Sequence, residues 1–241
     1  MGGRMVEFSG ILFALIVGVC IGSFLNVVIY RLPRGGSLLW PPSTCPACQH
    51  RLAAGDLVPV LSYIWLRGKC RYCQGPINIT YPVVELIAGL TTVAWALRFD
   101  SQVSELWRLI VAYTMIVIAV IDFKTRLIPN CLTYPMILGG LVYQWAQNAL
   151  GSALIGGLVG GGLLFLICLL YPKGMGMGDV KLLTFLGIFL GVDGVLRTLF
   201  WGSLSGVVLL FPLVWKGRIG RRQPVPFAPF LAVGAYVVLF F

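Results

Sequence analysis

Residues 152–171 read SALIGGLVGGGLLFLICLLY, a run without one charged side chain. As a helix it would rise 1.5 Å per residue and match the roughly 30 Å hydrocarbon core of a bilayer. No water is present there to satisfy backbone N–H and C=O groups, so a spanning segment must satisfy them internally. Comparable runs occupy 8–30, 81–98, 105–122, 132–149, 180–193, 195–215 and 226–241. Two are shorter than the usual span: 180–193, and 226–241, which ends with the chain. The remainder of the composition agrees, with 59% hydrophobic and 11% charged residues and a mean hydropathy of +0.92. The expected fold is an all-α polytopic membrane protein of about eight transmembrane helices. It divides into a first helix (1–30), a polar loop domain (31–80) and a seven-helix membrane domain (81–241).

The formal charge is +10, but in such a chain the placement of charge matters more than its sum. Fourteen of the 18 lysines and arginines fall on one set of alternate loops, led by Arg31, Arg34, Arg51, Arg67, Lys69 and Arg71. Only Arg4, Arg98, Arg108 and Arg197 fall at the opposite ends. The basic side is cytoplasmic, which places the N-terminus outside and accounts for the charge without a nucleic-acid partner. The first segment is long, has one basic residue before it and is followed by Arg31 and Arg34, so it reads as a retained helix rather than a cleaved signal. No internal repeat is visible.

The polar loop 31–80 contains Cys45-Pro-Ala-Cys48 and Cys70-Arg-Tyr-Cys73. Two Cys-x-x-Cys turns, each presenting two thiolates, suit one tetrahedral zinc, the alternatives being incidental thiols or a redox pair. A site closed by four thiolates has no open coordination position, so the metal would be structural. His50 is expected to be an ordinary surface histidine. The total of seven cysteines, with Cys20 and Cys168 inside apolar runs, does not suit a disulfide framework.

Of the eight acidic residues, Glu7, Asp56, Asp100, Glu105 and Asp193 sit in loops or at outer helix ends, where solvation would explain them. Asp122 closes the third segment, Asp179 opens the sixth and Glu85 lies one turn into the second. The alternation of segments brings Asp122 and Asp179 out at the same, cytoplasmic boundary. Two carboxylates sharing a site do not ionise together easily, which leaves a general base and a general acid for hydrolysis. The structural alternatives are an N-cap for Asp179 and pairing with Lys124 or Arg126 for Asp122. For Glu85 the alternative is pairing with a basic residue of the loop. Gly174, Gly176 and Gly178 before Asp179 allow close approach of a substrate strand. Gly156/Gly160 and Gly157/Gly161 read as helix-packing contacts.

Taken in order, Gly22-Ser-Phe-Leu-Asn26, the cysteine pairs, Tyr81-Pro82-Val-Val-Glu85, Asp122 with Ile128-Pro129-Asn130, Gly176-Met-Gly178-Asp179 and Pro226-Phe227-Ala228-Pro229 resemble the type IV prepilin peptidases. The resemblance covers almost the whole chain. It implies an enzyme of the bacterial inner membrane that removes the basic leader of prepilins or pseudopilins after a glycine. It further implies N-methylation of the new terminus with S-adenosylmethionine. Asp122 and Asp179 match the family's catalytic pair. Glu85 is the candidate for the methylation step, because a carboxylate there is placed to take a proton from the new α-amine. One departure is Ala228, where the family pattern has glycine. A peptidase without methyltransferase activity and a zinc-stabilised transporter are the competing readings.

Overall fold

The computed structural model describes residues 8–98, 103–171, 176–217 and 225–241. Gly174, the acids Glu7 and Asp100, and the cations Arg4, Lys173, Arg218, Arg221 and Arg222 lie outside the described residues. The described chain is helical and contains no strand, with isolated bridges only at Thr44–Arg51 and Lys69–Pro76. Its α-helices are α1 (Phe8–Arg31), α2 (Leu61–Trp65), α3 (Thr80–Ala96), α4 (Val103–Thr125), α5 (Asn130–Ala146), α6 (Leu150–Leu170), α7 (Met177–Trp215) and α8 (Ala228–Phe240).

Among the described helices four are long and apolar enough to cross a membrane: α1, α4, α6 and α7. The others are shorter, with 17 residues in α3 and α5 and 13 in α8. Many large apolar side chains face outward, including Leu158, Leu166 and Phe211, a surface that suits lipid rather than water.

The expected boundary between the sixth and seventh segments, near 193–195, falls instead at Gly191. Its φ of 69° and ψ of −174° are not helical, and they divide α7 into two arms. The arms fold back on each other. The Leu183 carbonyl and the Val195 side chain lie 2.6 and 2.8 Å from the point where a Gly160 Cβ would stand. A straight helix would hold residues twelve apart at a separation of about 18 Å. The first arm also starts earlier than the hydropathy suggests, at Met177.

The chain divides into two compact units, Met1–Val117 and Ile118–Phe241. In the first, α1 lies against α3 through small residues: a Cβ on Gly18 would stand 2.7 Å from the Gly89 Cα, and one on Gly22 the same distance from the Glu85 Cα. Asn26, buried in α1, donates from Nδ2 to the Tyr81 carbonyl at 3.0 Å and fixes the start of α3. Asn78 receives the Thr80 N–H at 2.9 Å, while Pro82 in the first turn has no N–H to satisfy.

In the second unit α6 packs on the first arm of α7, and α8 on the second arm. A Cβ on Gly156 would stand 2.3 Å from the Gly187 carbonyl, and one on Gly187 would stand 2.1 Å from the Gly156 carbonyl. Gly157 and Gly161 likewise face Ile188 and Thr184. These glycines are helix contacts, as the spacing suggests. Leu164, Leu182, Phe185, Leu186 and Leu231 fill the core around them.

Candidate active site and metal centre

In the second unit, Asp122 occupies the last turns of α4 and Asp179 the first turn of α7. The charge of Asp122 acts on Asp179. Asp122 is buried, and its Oδ2 accepts the backbone N–H of Ala228 at 3.1 Å. Among the described residues Arg126 forms no ion pair with it. The N-cap of α7 is Gly176, so Asp179 is not the cap. Its own N–H donates to the Gly176 carbonyl at 3.2 Å. Its Oδ1 is buried without a hydrogen-bond partner among the described residues. Gly178 lies against Ile128, where a Cβ would stand 3.0 Å from the isoleucine Cβ. Lys181 points elsewhere, donating to Asn130 Oδ1 at 2.9 Å and lying over the Tyr134 ring. Two acids, one held by a backbone donor and one with an oxygen that has no partner among the described residues, can exchange protons with a bound water and a peptide.

Sequence reasoning missed the Ala228 N–H because a backbone donor carries no residue signature. Pro226 and Pro229 around it were the available signal, since they restrict the chain where α8 begins.

In the first unit the four cysteines converge. Their sulfurs all lie within 4.8 Å of one another, and Cys45 Sγ is 3.9 Å from Cys73 Sγ. Four thiolates around a tetrahedral zinc, at about 2.3 Å each, stand about 3.8 Å apart, so this donor set fits that metal. Both turns are built alike, which adds a local repeat that the sequence analysis did not detect. Cys45 N–H donates to the His50 carbonyl and Cys70 N–H to the Gly75 carbonyl, at 2.9 and 2.8 Å. Gln49 and Gln74 follow with φ of 59° and 58°. The Cys48 backbone N–H aimed at Cys45 holds that thiol down to about 7, against the opposing effect of burial. His50 lies against Tyr72, with ring centroids 3.7 Å apart and ring planes tilted by 35°.

Two acids depart from the expectation of solvated surface groups. The Asp56 side chain is buried. It binds Arg71 Nε at 2.8 Å, the Tyr72 hydroxyl at 3.0 Å and the Ala53 N–H at 3.1 Å, tying the second cysteine turn to the loop. Glu105 is also buried and pairs with Arg108 at 3.0 Å.

Glu85 is buried and faces the loop, and it is held by a backbone N–H rather than by a basic residue. Its Oε2 accepts the Val60 N–H at 2.7 Å, and the Ser23 hydroxyl also reaches the carboxylate. Val60 has a φ of 62°, costly for a β-branched residue, so this contact holds the loop in a conformation it would otherwise avoid.

Residues 16–99 match the family model of the bacterial peptidase A24 N-terminal domain, and residues 109–211 match that of the type IV leader peptidase family. The chain is 35% identical to a prepilin leader peptidase/N-methyltransferase of Burkholderia pseudomallei strain 1026b, over 95% of this chain and 84% of that protein. Proteins of the same name from Dickeya chrysanthemi and Aeromonas hydrophila are 35% and 34% identical, over 92% and 91% of this chain and 89% and 86% of theirs. No solved structure matches significantly.

Proposed function

Because the chain belongs to the type IV leader peptidase family, we propose that it removes the leader from prepilin or pseudopilin substrates and then N-methylates the exposed terminus. The observation that carries the peptidase reading is the electrostatic effect of Asp122 on Asp179, with the two acids at the end of α4 and the start of α7. In that reading one carboxylate takes a proton from water as the water oxygen attacks the scissile carbonyl. The other gives a proton to the departing amine as the C–N bond breaks, and the products are an acid and a free α-amine. The pair titrates as a unit, so neither role is fixed to one residue.

Cys45, Cys48, Cys70 and Cys73 would hold one zinc, which when bound cross-links the two turns of the loop and leaves the chemistry to the acids. S-adenosylmethionine is the methyl donor that the relatives' name implies. The groove between α5, α6 and α7, lined by Ile137, Leu141, Leu158 and Phe165, offers a sulfonium donor no charged partner and does not fit it. We assign no residue to the donor. Glu85 is assigned to the second activity because it is a buried carboxylate facing the loop, able to accept the proton of an amine whose ordinary pKa is about 7.7–8.0.

The lipid setting is the bacterial inner membrane, with eight spans, the N-terminus outside and both the acidic pair and the cysteine loop facing the cytoplasm. The functional division is 1–30, 31–80 and 81–241. No nucleic acid is involved. The test is to incubate the chain in detergent with a prepilin-like substrate and S-adenosylmethionine and weigh the product's N-terminus. An unshortened substrate overturns the peptidase reading, and a shortened but unmethylated product reduces the function to peptidase alone.

A further inference from the structure

The segment 57–65 turns its apolar side chains outward. Leu57, Leu61, Ile64 and Trp65 are 41, 53, 62 and 76% exposed. Leu61, Ile64 and Trp65 are three and four residues apart and so share one face of α2. A short helix at the surface of a soluble domain buries such a face against the core.

The level of this face is fixed within the unit. Val60, immediately before α2, is bound through its N–H to Glu85 Oε2 at 2.7 Å, and Glu85 lies in the second turn of α3. The neighbours of Glu85 along α3, Val83, Leu86, Ile87 and Leu90, are themselves apolar and exposed. The outward face of α2 is therefore tied to the apolar surface at the start of α3, not to a point far out in solvent.

The charge that follows is one-sided. Arg67 and Lys69, directly after α2, are exposed, and the only acid in residues 31–80 is Asp56, which is bound to Arg71. A tryptophan beside cations has the chemistry of the bilayer interface. The indole sits at headgroup level, and the cations are attracted to lipid phosphates.

We propose that residues 57–69 form an interfacial wedge, with Leu61, Ile64 and Trp65 set into the headgroup boundary and Arg67 and Lys69 paired with anionic phospholipid. The wedge goes beyond the enzymatic reading and does not depend on it. It rests only on the placement of the apolar helices in a bilayer.

The test uses the full chain in detergent, in phosphatidylcholine nanodiscs and in nanodiscs containing phosphatidylglycerol, and follows tryptic cleavage after Arg67 and Lys69. Cleavage is expected to be slowest with phosphatidylglycerol, by about tenfold relative to detergent, and to rise with salt. Ile64→Ser/Trp65→Ser should restore fast cleavage in nanodiscs, whereas Trp65→Phe, which keeps the apolar ring, should stay protected. Both residues are exposed, so thermal unfolding in detergent should match wild type. If the double variant nevertheless unfolds, Trp65→Ser alone makes the comparison. Equal rates in detergent and nanodiscs, or protection that persists in the serine variant, overturn the wedge. Protection independent of phosphatidylglycerol overturns the pairing with anionic lipid.

Discussion

Asp122 and Ala228 meet across 106 residues of chain, the carboxylate Oδ2 accepting the alanine N–H at 3.1 Å. Ala228 is the first residue of α8 and fully buried, so a proline there removes the N–H and also strains the helical Phe227 before it. Ala228→Pro should therefore lower the cleavage rate by at least about 10-fold, read beside thermal unfolding of the variant. Ala228→Gly keeps the donor and should retain most of the rate. Equal losses in both variants would show that the side chain matters, not the hydrogen bond.

Asp122→Asn and Asp179→Asn should each lower cleavage by at least about 10²-fold while the protein remains inserted and folded, because an amide cannot exchange the required proton. The measurement is leader removal by gel or mass spectrometry, beside thermal unfolding of each variant. Near-normal turnover in either would remove that residue from the pair.

The cysteine turns make a separate prediction, read in metal content. Purified protein should contain one zinc per chain, and Cys45→Ser or Cys70→Ser should lower its accumulation before altering the chemistry. Chelation should loosen the loop, detectable as faster proteolysis within residues 31–80. Metal-free protein with a wild-type proteolysis pattern would refute the structural role.

Glu85→Gln and Glu85→Ala separate chemistry from scaffolding. The amide oxygen of glutamine can still accept the Val60 N–H, whereas alanine leaves that donor and its strained backbone without a partner. If Glu85 takes the proton of the amine, Gln should keep cleavage and lose methylation. If it only holds the loop, Gln should behave as wild type and Ala should impair the protein. The readouts are the product's N-terminal mass and the chain's thermal stability.

Gly191→Ala tests the fold-back of α7. No atom lies within 4 Å of the Cβ it would add, so the penalty is the backbone conformation alone. With φ of 69° and ψ of −174°, a region that glycine almost alone occupies, the substitution should cost about 1–3 kcal/mol, measured as a lowered unfolding temperature in detergent.

These residues also mark what sequence could and could not reveal. The cysteine turns were legible because thiol chemistry is local and its spacing is written in the chain. That Asp122 and Asp179 lie at helix ends was legible because both stand near ends of apolar runs. Gly191 was not, since apolar residues continue on both sides and a glycine states a permission rather than a turn. Nor were the partners of Asp122 and Glu85, for the donors at Ala228 and Val60 are main-chain N–H groups that any residue but proline supplies. Asp56 and Glu105 read as surface acids because their positions in a loop or at a helix end are visible in sequence, while their burial is tertiary.

The carbonyl of Gly156 fills the space a side chain at Gly187 would need, and the reverse holds as well. Such a contact exists at one axial register only: sliding α6 by a residue against the first arm of α7 would bring Ile155 or Gly157 to that point and drive a side chain or a new edge into the neighbouring backbone. Asp179 stands eight residues before Gly187, about 12 Å along the same arm. The glycine pair thus acts as a depth gauge, because the level at which α6 sits in the bilayer sets the height of Asp179.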